Sequence, residues 1–419
     1  MAEKFKAVKG TKDILPDDST KWQTLEQTVH EFMNRWGYGE IRTPAFERTE
    51  LFARSVGEES DIVSKQMYTF LDQSKTSLTL KPELTAPVMR AFLEHNLDRG
   101  GALTKLYYID ALFRQERPQK GRLRQFHQFG AEAVGSPHPE QDVEIIALAY
   151  RLMEAVGIAN PSLQLNSIGS KKCRQRFRDT LVEFLSPYSG DLSEASRQRM
   201  ETNPLRILDS KDEREQDILK GAPRILDCLD DADKEHYEAV KAGLDALGIS
   251  YEQNDLLVRG LDYYGRTTFE ITSDTLGAHD ALCGGGRYDD LLEELGGKPT
   301  PAVGFAAGME RILLATPEES ESYGSETVRA FVIAAGEKAR TDAMQTAMNL
   351  RSNGIPADFD TLQRSVKAQM REANRQDATH IVFIGEEELA SGTCQVKDLS
   401  TGEQQSVPFK ELFKYLTAV

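Results

Sequence analysis

The sequence predicts an α+β protein: a largely antiparallel sheet flanked by helices and interrupted by a helical insertion, followed by a smaller α/β unit. Three observations carry this. Two strand-like runs, Lys105–Phe113 and Arg124–Gly130, are joined by a short loop, which suits antiparallel pairing and not the long crossover that parallel strands need. Residues from about 171 to 247 are densely charged and helical in pattern, with sheet-like segments on either side. Beyond Val328, strand and helix signals alternate, as in a small α/β domain. A chain of 419 residues exceeds one ordinary core, since roughly 150 residues make a domain. The expected division is a first unit over 1–325, with its insertion at about 171–247, and a second over 328–419. The acidic stretch PEESESYGSET between them reads as a linker.

The first element is a helix over Ser19–Trp36. Asp17, Asp18 or Ser19 can cap it, Trp22, Leu25, Val29, Phe32, Met33 and Trp36 recur at helical spacing, and Gly37 stops it. An extended segment, Tyr38–Glu47, follows and is broken by Pro44, and a strand-like run lies at Ser77–Leu80. After the hairpin and the helical insertion, sheet character returns at Leu256–Ile271. It continues through Gly284–Gly286 and ends in GFAAGMERILL, Gly304 to Leu314. The second unit reads as strand AFVIAA, helix Lys338–Ser352, strand Ile355–Asp358, helix Leu362–Arg375, strands HIVFIG and QVKDL, and a last helix.

Composition narrows the function. With 39% hydrophobic and 28% charged residues, and no run near the roughly 20 apolar residues needed to cross a bilayer, membrane spanning is excluded. The N-terminal stretch mixes acidic and basic residues without an apolar core, so a cytoplasmic location is expected. Cys173, Cys228, Cys283 and Cys394 lie far apart with no CxxC pair, which argues against disulfides and a structural zinc site. A net charge of −16 looks hostile to nucleic acid, yet Arg114, Arg117, Lys120, Arg122 and Arg124 oppose only Glu116 within eleven residues. A basic finger of this kind suits a polyanion.

There is no GxxxxGK[ST] loop and no GxGxxG turn after a parallel strand, so any phosphate must be held by side chains. Arg114, at the end of an apolar strand, Arg259, expected inside another, and Arg311, at the start of a helix, are the candidates. A guanidinium inside a strand demands an anion, because burying it unpaired costs several kcal/mol, on the order of a buried charge. Alternation along the hairpin puts Arg114 and Glu116 on one face of the first arm, and Phe126, Gln128 and Glu132 on one face of the second. Glu83 and Thr85, expected on the same side of an extended TLKPELTAP, could grip an ammonium group. Tyr263, Tyr264 and Tyr288 offer phenols, though strand tyrosines commonly only pack. Three successive glycines, Gly284–Gly286, favour close approach of a ligand or another backbone. In the second unit, Arg364, Lys367, Arg371 and Arg375 would share one helix face, either solvated or against an RNA backbone.

Together these segments resemble the histidyl-tRNA synthetases, which are class II aminoacyl-tRNA synthetases, of the bacterial type, along nearly the whole chain. GYGEIRTPAFE, FRQERPQKGRLRQFHQFGAE and PAVGFAAGMERILL are similar to the three class-defining motifs, and LVRGLDYYGRTTFE and ALCGGGRYDDL to the two signatures peculiar to the histidine enzymes. The last unit resembles their anticodon-binding domain. The resemblance implies a class II fold, a homodimer, and ligation of L-histidine to tRNA-His through histidyl-adenylate, with ATP and Mg²⁺ and no zinc. It further implies that Arg114, Glu116, Arg122, Phe126 and Arg311 hold ATP. Arg259 would act with Arg114 at the α-phosphate as the cationic catalyst. Glu83, Thr85 and Gln128 would hold the histidine amino group, and Glu132, Tyr263 and Tyr264 its imidazole. Arg117, Lys120 and Arg124 would meet the tRNA acceptor end, and Arg364, Lys367 and Arg371 the anticodon side. Lys81, Gln66 and Leu123 depart from the usual residues of the motifs. A histidine-sensing regulatory paralogue would lack the last unit and catalytic arginines, and a threonyl or prolyl enzyme would lack the two histidine signatures.

Overall fold

The computed structural model describes residues 4–57, 60, 62–98, 103–119, 121–208, 210, 212–279, 281–316 and 329–418. The chain forms two compact units, Met1–Gly324 and Ser325–Val419. Lys120 and the acidic linker lie outside the described residues.

In the first unit the expected hairpin is the seed of the sheet. Strands Thr104–Phe113 and Gln125–Val134 pair antiparallel without a register break, from Thr104 opposite Val134 to Phe113 opposite Gln125. Eight strands follow in the spatial order Gly39–Glu40, Thr104–Phe113, Gln125–Val134, Ala302–Gly308, Ala281–Arg287, Gly265–Thr272, Ser162–Ser167 and Glu252–Gln253. The central six are antiparallel, and each two-residue edge strand joins in parallel.

The two sheet faces have different fates. Phe129, Phe269 and Phe305 point to one side, where helices Pro16–Arg35, Pro139–Ala155 and Asp231–Ala246 seal them in a single core. Full burial of such a side chain stabilises by about 1.5–3 kcal/mol. The opposite face carries Tyr108, Leu112, Tyr263, Tyr264 and Tyr288, packed with Val88 and Phe92 of helix Thr85–Glu94 and with Phe177 and Leu181 of the insertion. That second face is only partly covered, and a cavity remains over its middle.

The insertion is helical, as expected: helices Lys171–Leu185, Glu194–Thr202, Glu213–Leu219 and Asp231–Ala246 lie between strands Ser162–Ser167 and Glu252–Gln253. Side chains of Ser193, Asp212 and Asp230 accept backbone N–H bonds at three of the helix starts, which compensates short helices for unmet donors. All four cysteines are free, with Cys173, Cys283 and Cys394 buried. Among the described residues, no helix is long and apolar enough to cross a membrane.

Several boundaries differ from expectation for identifiable reasons. The first helix begins at Pro16, three residues early and with no side-chain cap, because proline suits the first helical turn and Asp17 and Asp18 there oppose the helix dipole. Leu256–Tyr264 is not sheet: the ladder starts at Gly265, just before Arg266 with its left-handed φ of 50°, so Arg259 lies in irregular chain and not in a strand. Thr85 is not extended but opens helix Thr85–Glu94. Arg114 and Glu116 lie beyond the end of their strand, so alternation does not govern them.

The second unit is a five-stranded sheet in the order Ala357–Phe359, Ala330–Ala334, His380–Ile384, Thr393–Asp398 and Gln404–Pro408, parallel on the first side and antiparallel on the last. Helix Glu386–Ser391 and strand Gln404–Pro408 escaped sequence reading because each is too short to show a period. Helix Val366–Arg375 starts after Arg364, since Gln363 takes a left-handed φ of 55°. Arg364 therefore does not share the helix face.

Candidate active site

A cavity of about 340 Å³ lies over the open sheet face, and it gathers Arg114, Arg259 and Arg311 from three distant segments. Each arginine is set by a different element. Arg114 follows the last residue of its strand, where its Nε donates to the Pro82 carbonyl (2.8 Å) and its backbone N–H to the Arg124 carbonyl. Its guanidinium lies 5.1 Å from the Phe126 ring centroid, a cation–π arrangement, and burial lowers its pKa. Arg311 stands in the first turn of helix Met309–Ala315 and reaches back to the Ala281 carbonyl (2.7 Å) and the Gly121 carbonyl (3.3 Å).

Arg259 is held by a residue that sequence reading missed. Its Nη1 meets a Glu270 carboxylate oxygen at 2.6 Å, and its guanidinium lies against Gly284, where any Cβ would collide with it. The glycine run thus does permit a close approach, by an arginine side chain over Gly284 and by neighbouring backbone over Gly285 and Gly286. Burial opposes the charge on Arg259, but Glu270, Tyr264 and Cys283 together outweigh it and the pKa is raised.

Glu116 lies between two cations, 3.8 Å from Arg114 and 3.7 Å from Arg122, and all three line the cavity. Phe126 and Gln128 project into it from alternate positions of one strand, as alternation requires. Arg124 turns away, its backbone N–H bonded to the Gly10 carbonyl and its Nε to the Glu116 carbonyl. Arg117 is exposed.

The far end is lined by Glu83, Thr85, Tyr263 and Tyr264, with Glu132 beneath. The Glu83 carboxylate accepts the backbone N–H groups of Thr85 (2.8 Å) and Ala86 (3.0 Å), so it sits at the positive end of helix Thr85–Glu94. Glu132 is 1% exposed and accepts hydrogen bonds from Thr85 Oγ1 (2.9 Å), Tyr108 (3.1 Å) and the Tyr288 hydroxyl. Gly304 faces Glu132 across the ladder, and a Cβ there would collide with the carboxylate. Burial raises the Glu83 pKa to about 7 and the Glu132 pKa to about 8, while hydrogen bonds pull the other way. Burial also raises Tyr263 well above the ordinary phenol range and Tyr264 to about 12.

Tyr108, Glu270 and Glu310 are the site residues that sequence reasoning did not select, and Tyr288 it named as a phenol without giving it a role. Glu310 lines the cavity and accepts the His127 backbone N–H (3.0 Å) and Nδ1 (3.0 Å). An isolated carboxylate in a helix or strand carries no sequence signal; only the neighbour across the sheet defines it.

In the second unit, Lys367 and Arg371 are exposed on helix Val366–Arg375, whereas Arg364 pairs with Asp360 and Glu372, and Arg375 with Glu372. The expected row of four cations is reduced to two without such a carboxylate partner in these pairs.

An antiparallel sheet that presents arginines to one cavity, beside buried carboxylates, and is followed by a separate α/β module has the architecture of a class II aminoacyl-tRNA synthetase. Residues 10–312 match the histidyl-tRNA synthetase family model and residues 329–418 the anticodon-binding domain model. Curated relatives include histidine–tRNA ligases of Chloroherpeton thalassium, 48% identical over 98% of this chain and 97% of that protein, and Thermosynechococcus vestitus, 46% identical over 97% and 95%. A solved structure of apo histidyl-tRNA synthetase from S. aureus matches with a TM-score of 0.83 at 38% identity, covering 99% of this chain and all of that one. The chain belongs to the histidyl-tRNA synthetase family.

Proposed function

We infer that this ligase uses the cavity to activate L-histidine with ATP and then passes the histidyl group to tRNA-His. The convergence of Arg114, Arg259 and Arg311 on one cavity that ends at Glu83, with buried Glu132 beneath its lining, carries the reading. Arg311 receives the far phosphates of ATP and Phe126 the adenine, with Glu116 and Arg122 beside it. Glu83, Thr85 and Gln128 hold the histidine ammonium, and Glu132, Tyr263 and Tyr264 its ring. Both carboxylates have a suitable counterpart, because one meets a cation and the other a ring N–H.

In the first step a histidine carboxylate oxygen attacks the α-phosphorus, a mixed anhydride forms, and the bond to the β-phosphate breaks to release pyrophosphate. Arg259 and Arg114 stabilise the charge that grows on the α-phosphate oxygens. In the second step a ribose hydroxyl at the tRNA 3′ end attacks the histidyl carbonyl carbon, and AMP leaves. Glu116 and Glu310 line the cavity and would be the carboxylates to hold a Mg²⁺ ion carried in with ATP. Such an ion neutralises phosphate charge.

Arg117, Lys120 and Arg124 are assigned to the acceptor end and Lys367 and Arg371 to the anticodon side, with Arg364 retained only as a neighbour of that surface. A homodimer in the cytoplasm is the working form. Exposed Phe46, Phe70 and Leu71 on the small sheet formed by Phe46–Arg48, Ser77–Leu80 and Tyr68–Leu71 support a second copy there.

Pyrophosphate exchange measured across the amino acids tests the reading, with histidine expected to be the one that supports it. Arg259→Ala should slow exchange by about a hundredfold or more while leaving histidine binding in place. Exchange by Arg259→Ala at the wild-type rate would remove that residue from catalysis.

A further inference from the structure

We propose that Glu270 is a positioning residue for adenylation: its carboxylate, with the bare surface of Gly284, fixes the guanidinium of Arg259 in the cavity. The proposal rests on the catalytic role of Arg259 given above and adds the means by which that role is set.

The backbone of Arg259 cannot orient its side chain precisely. It lies in the irregular stretch before the ladder begins at Gly265, and the Asn166 amide donates to the carbonyls of Asp255 and Leu257 there, two residues short of Arg259. An arginine side chain has four rotatable bonds, and leaving them free in a water-filled cavity would scatter the guanidinium over several ångströms. Something outside the segment must hold it.

The sheet supplies that hold. Glu270 and Gly284 are directly opposite each other on adjacent antiparallel strands, so their Cα atoms share one sheet face. Glu270 meets Nη1 at 2.6 Å, and the missing Cβ of Gly284 leaves a recess for the guanidinium plane. Both residues line the cavity. The pairing engages one edge of the group only. Nε is buried with no hydrogen-bond partner among the described residues, so the contact with Glu270 is not shared with a second anchor at that atom.

The chemistry explains why a carboxylate can sit beside a phosphate site. Paired to Arg259, it adds little repulsion, and it lets a guanidinium with fixed direction serve as a preorganised donor. A misplacement of about 1 Å at such a group costs about a hundredfold in rate. The conservative Glu270→Gln retains an amide oxygen at the same reach and keeps an acceptor for Nη1, whereas Glu270→Ala removes it.

The test measures histidine-dependent pyrophosphate exchange by full-length wild type, Glu270→Gln, Glu270→Ala, Arg259→Ala and the double Arg259→Ala/Glu270→Ala variant, with thermal melts as a folding control. We expect Glu270→Ala to lose about ten- to a hundredfold in kcat with KM for histidine changed less than about threefold, and Glu270→Gln to recover most of that loss. The double variant should be no slower than Arg259→Ala, because a residue that acts through Arg259 has nothing to act on without it. Additive losses, a Glu270→Gln variant as slow as Glu270→Ala, or a full-rate Glu270→Ala would each overturn the proposal. If Glu270→Ala runs at full rate while Arg259→Ala is slow, only this proposal falls. If Arg259→Ala is fast, the assignment of Arg259 fails first.

Discussion

Replacing Glu132 by Gln tests whether burial holds a proton on the carboxyl at the end of the cavity. The residue is 1% exposed and its folded pKa is raised from 4.5 to about 8, with burial as the principal cause. In the unfolded chain it titrates near 4.5, so between that value and about 8 the native state binds the extra proton. Stability linked to Glu132 is therefore fully present at low pH and is lost as pH rises through about 8. Between pH 6 and pH 9 the loss spans roughly two pKa units at about 1.4 kcal/mol each, or about 3 kcal/mol. Glu83, raised to about 7, follows the same sign and adds about 1 kcal/mol over the same interval. Glu132→Gln keeps the shape but cannot ionise, so the variant should retain only the smaller Glu83 component. Urea unfolding of the ligand-free protein at pH 6 and pH 9 provides the comparison. The wild type should lose about 3 kcal/mol more than the variant over that range. Equal losses would refute the reasoning. Above about pH 8, where the wild-type carboxyl ionises, histidine affinity of the variant should also fall, by about ten- to a hundredfold, because a neutral amide cannot supply the charge-assisted hydrogen bond.

Two other outcomes are expected. Charge reversal at Lys367 and Arg371, exposed on helix Val366–Arg375, should weaken tRNA binding and reduce the slope of log affinity against log salt by about one per cation, with pyrophosphate exchange unaltered; an unchanged slope in a filter-binding titration counts against the RNA contact. Arg287, fully buried, pairs with fully buried Asp142, so Arg287→Met should leave the carboxylate with only His236 (3.3 Å) beside it and cost about 3–5 kcal/mol in a denaturant melt; a variant of near wild-type stability would show that the pair contributes little.

Periodicity and turn chemistry made much of the fold legible. The hairpin over Thr104–Val134, the charged helical insertion and the alternating second unit are all local patterns, and each is present. Phe126, Gln128 and Arg311 could be selected because strand alternation and a glycine-flanked helix start are also local, and Arg114 because it closes an apolar strand-like run. Local patterns fail where an element is very short, as at Glu386–Ser391, or where one residue takes a left-handed φ, as at Gln363 and Arg266. They also misjudge a charged row such as Arg364 to Arg375, because Asp360 and Glu372 take up two of its cations.

What the amino-acid order determined alone was the type of each segment and the residue kinds available for chemistry, since both depend on neighbours a few positions away. The tertiary structure alone decided which charges are paired and which carboxyls have raised pKa values. Gly304 faces Glu132 because strands far apart in sequence stand side by side in the sheet, and Glu270 meets Arg259 because the irregular chain before Gly265 folds back over its own strand. The same packing removes water from Glu83 and Glu132 and so raises their pKa values, and burial is a property of the assembled core that no window of sequence contains.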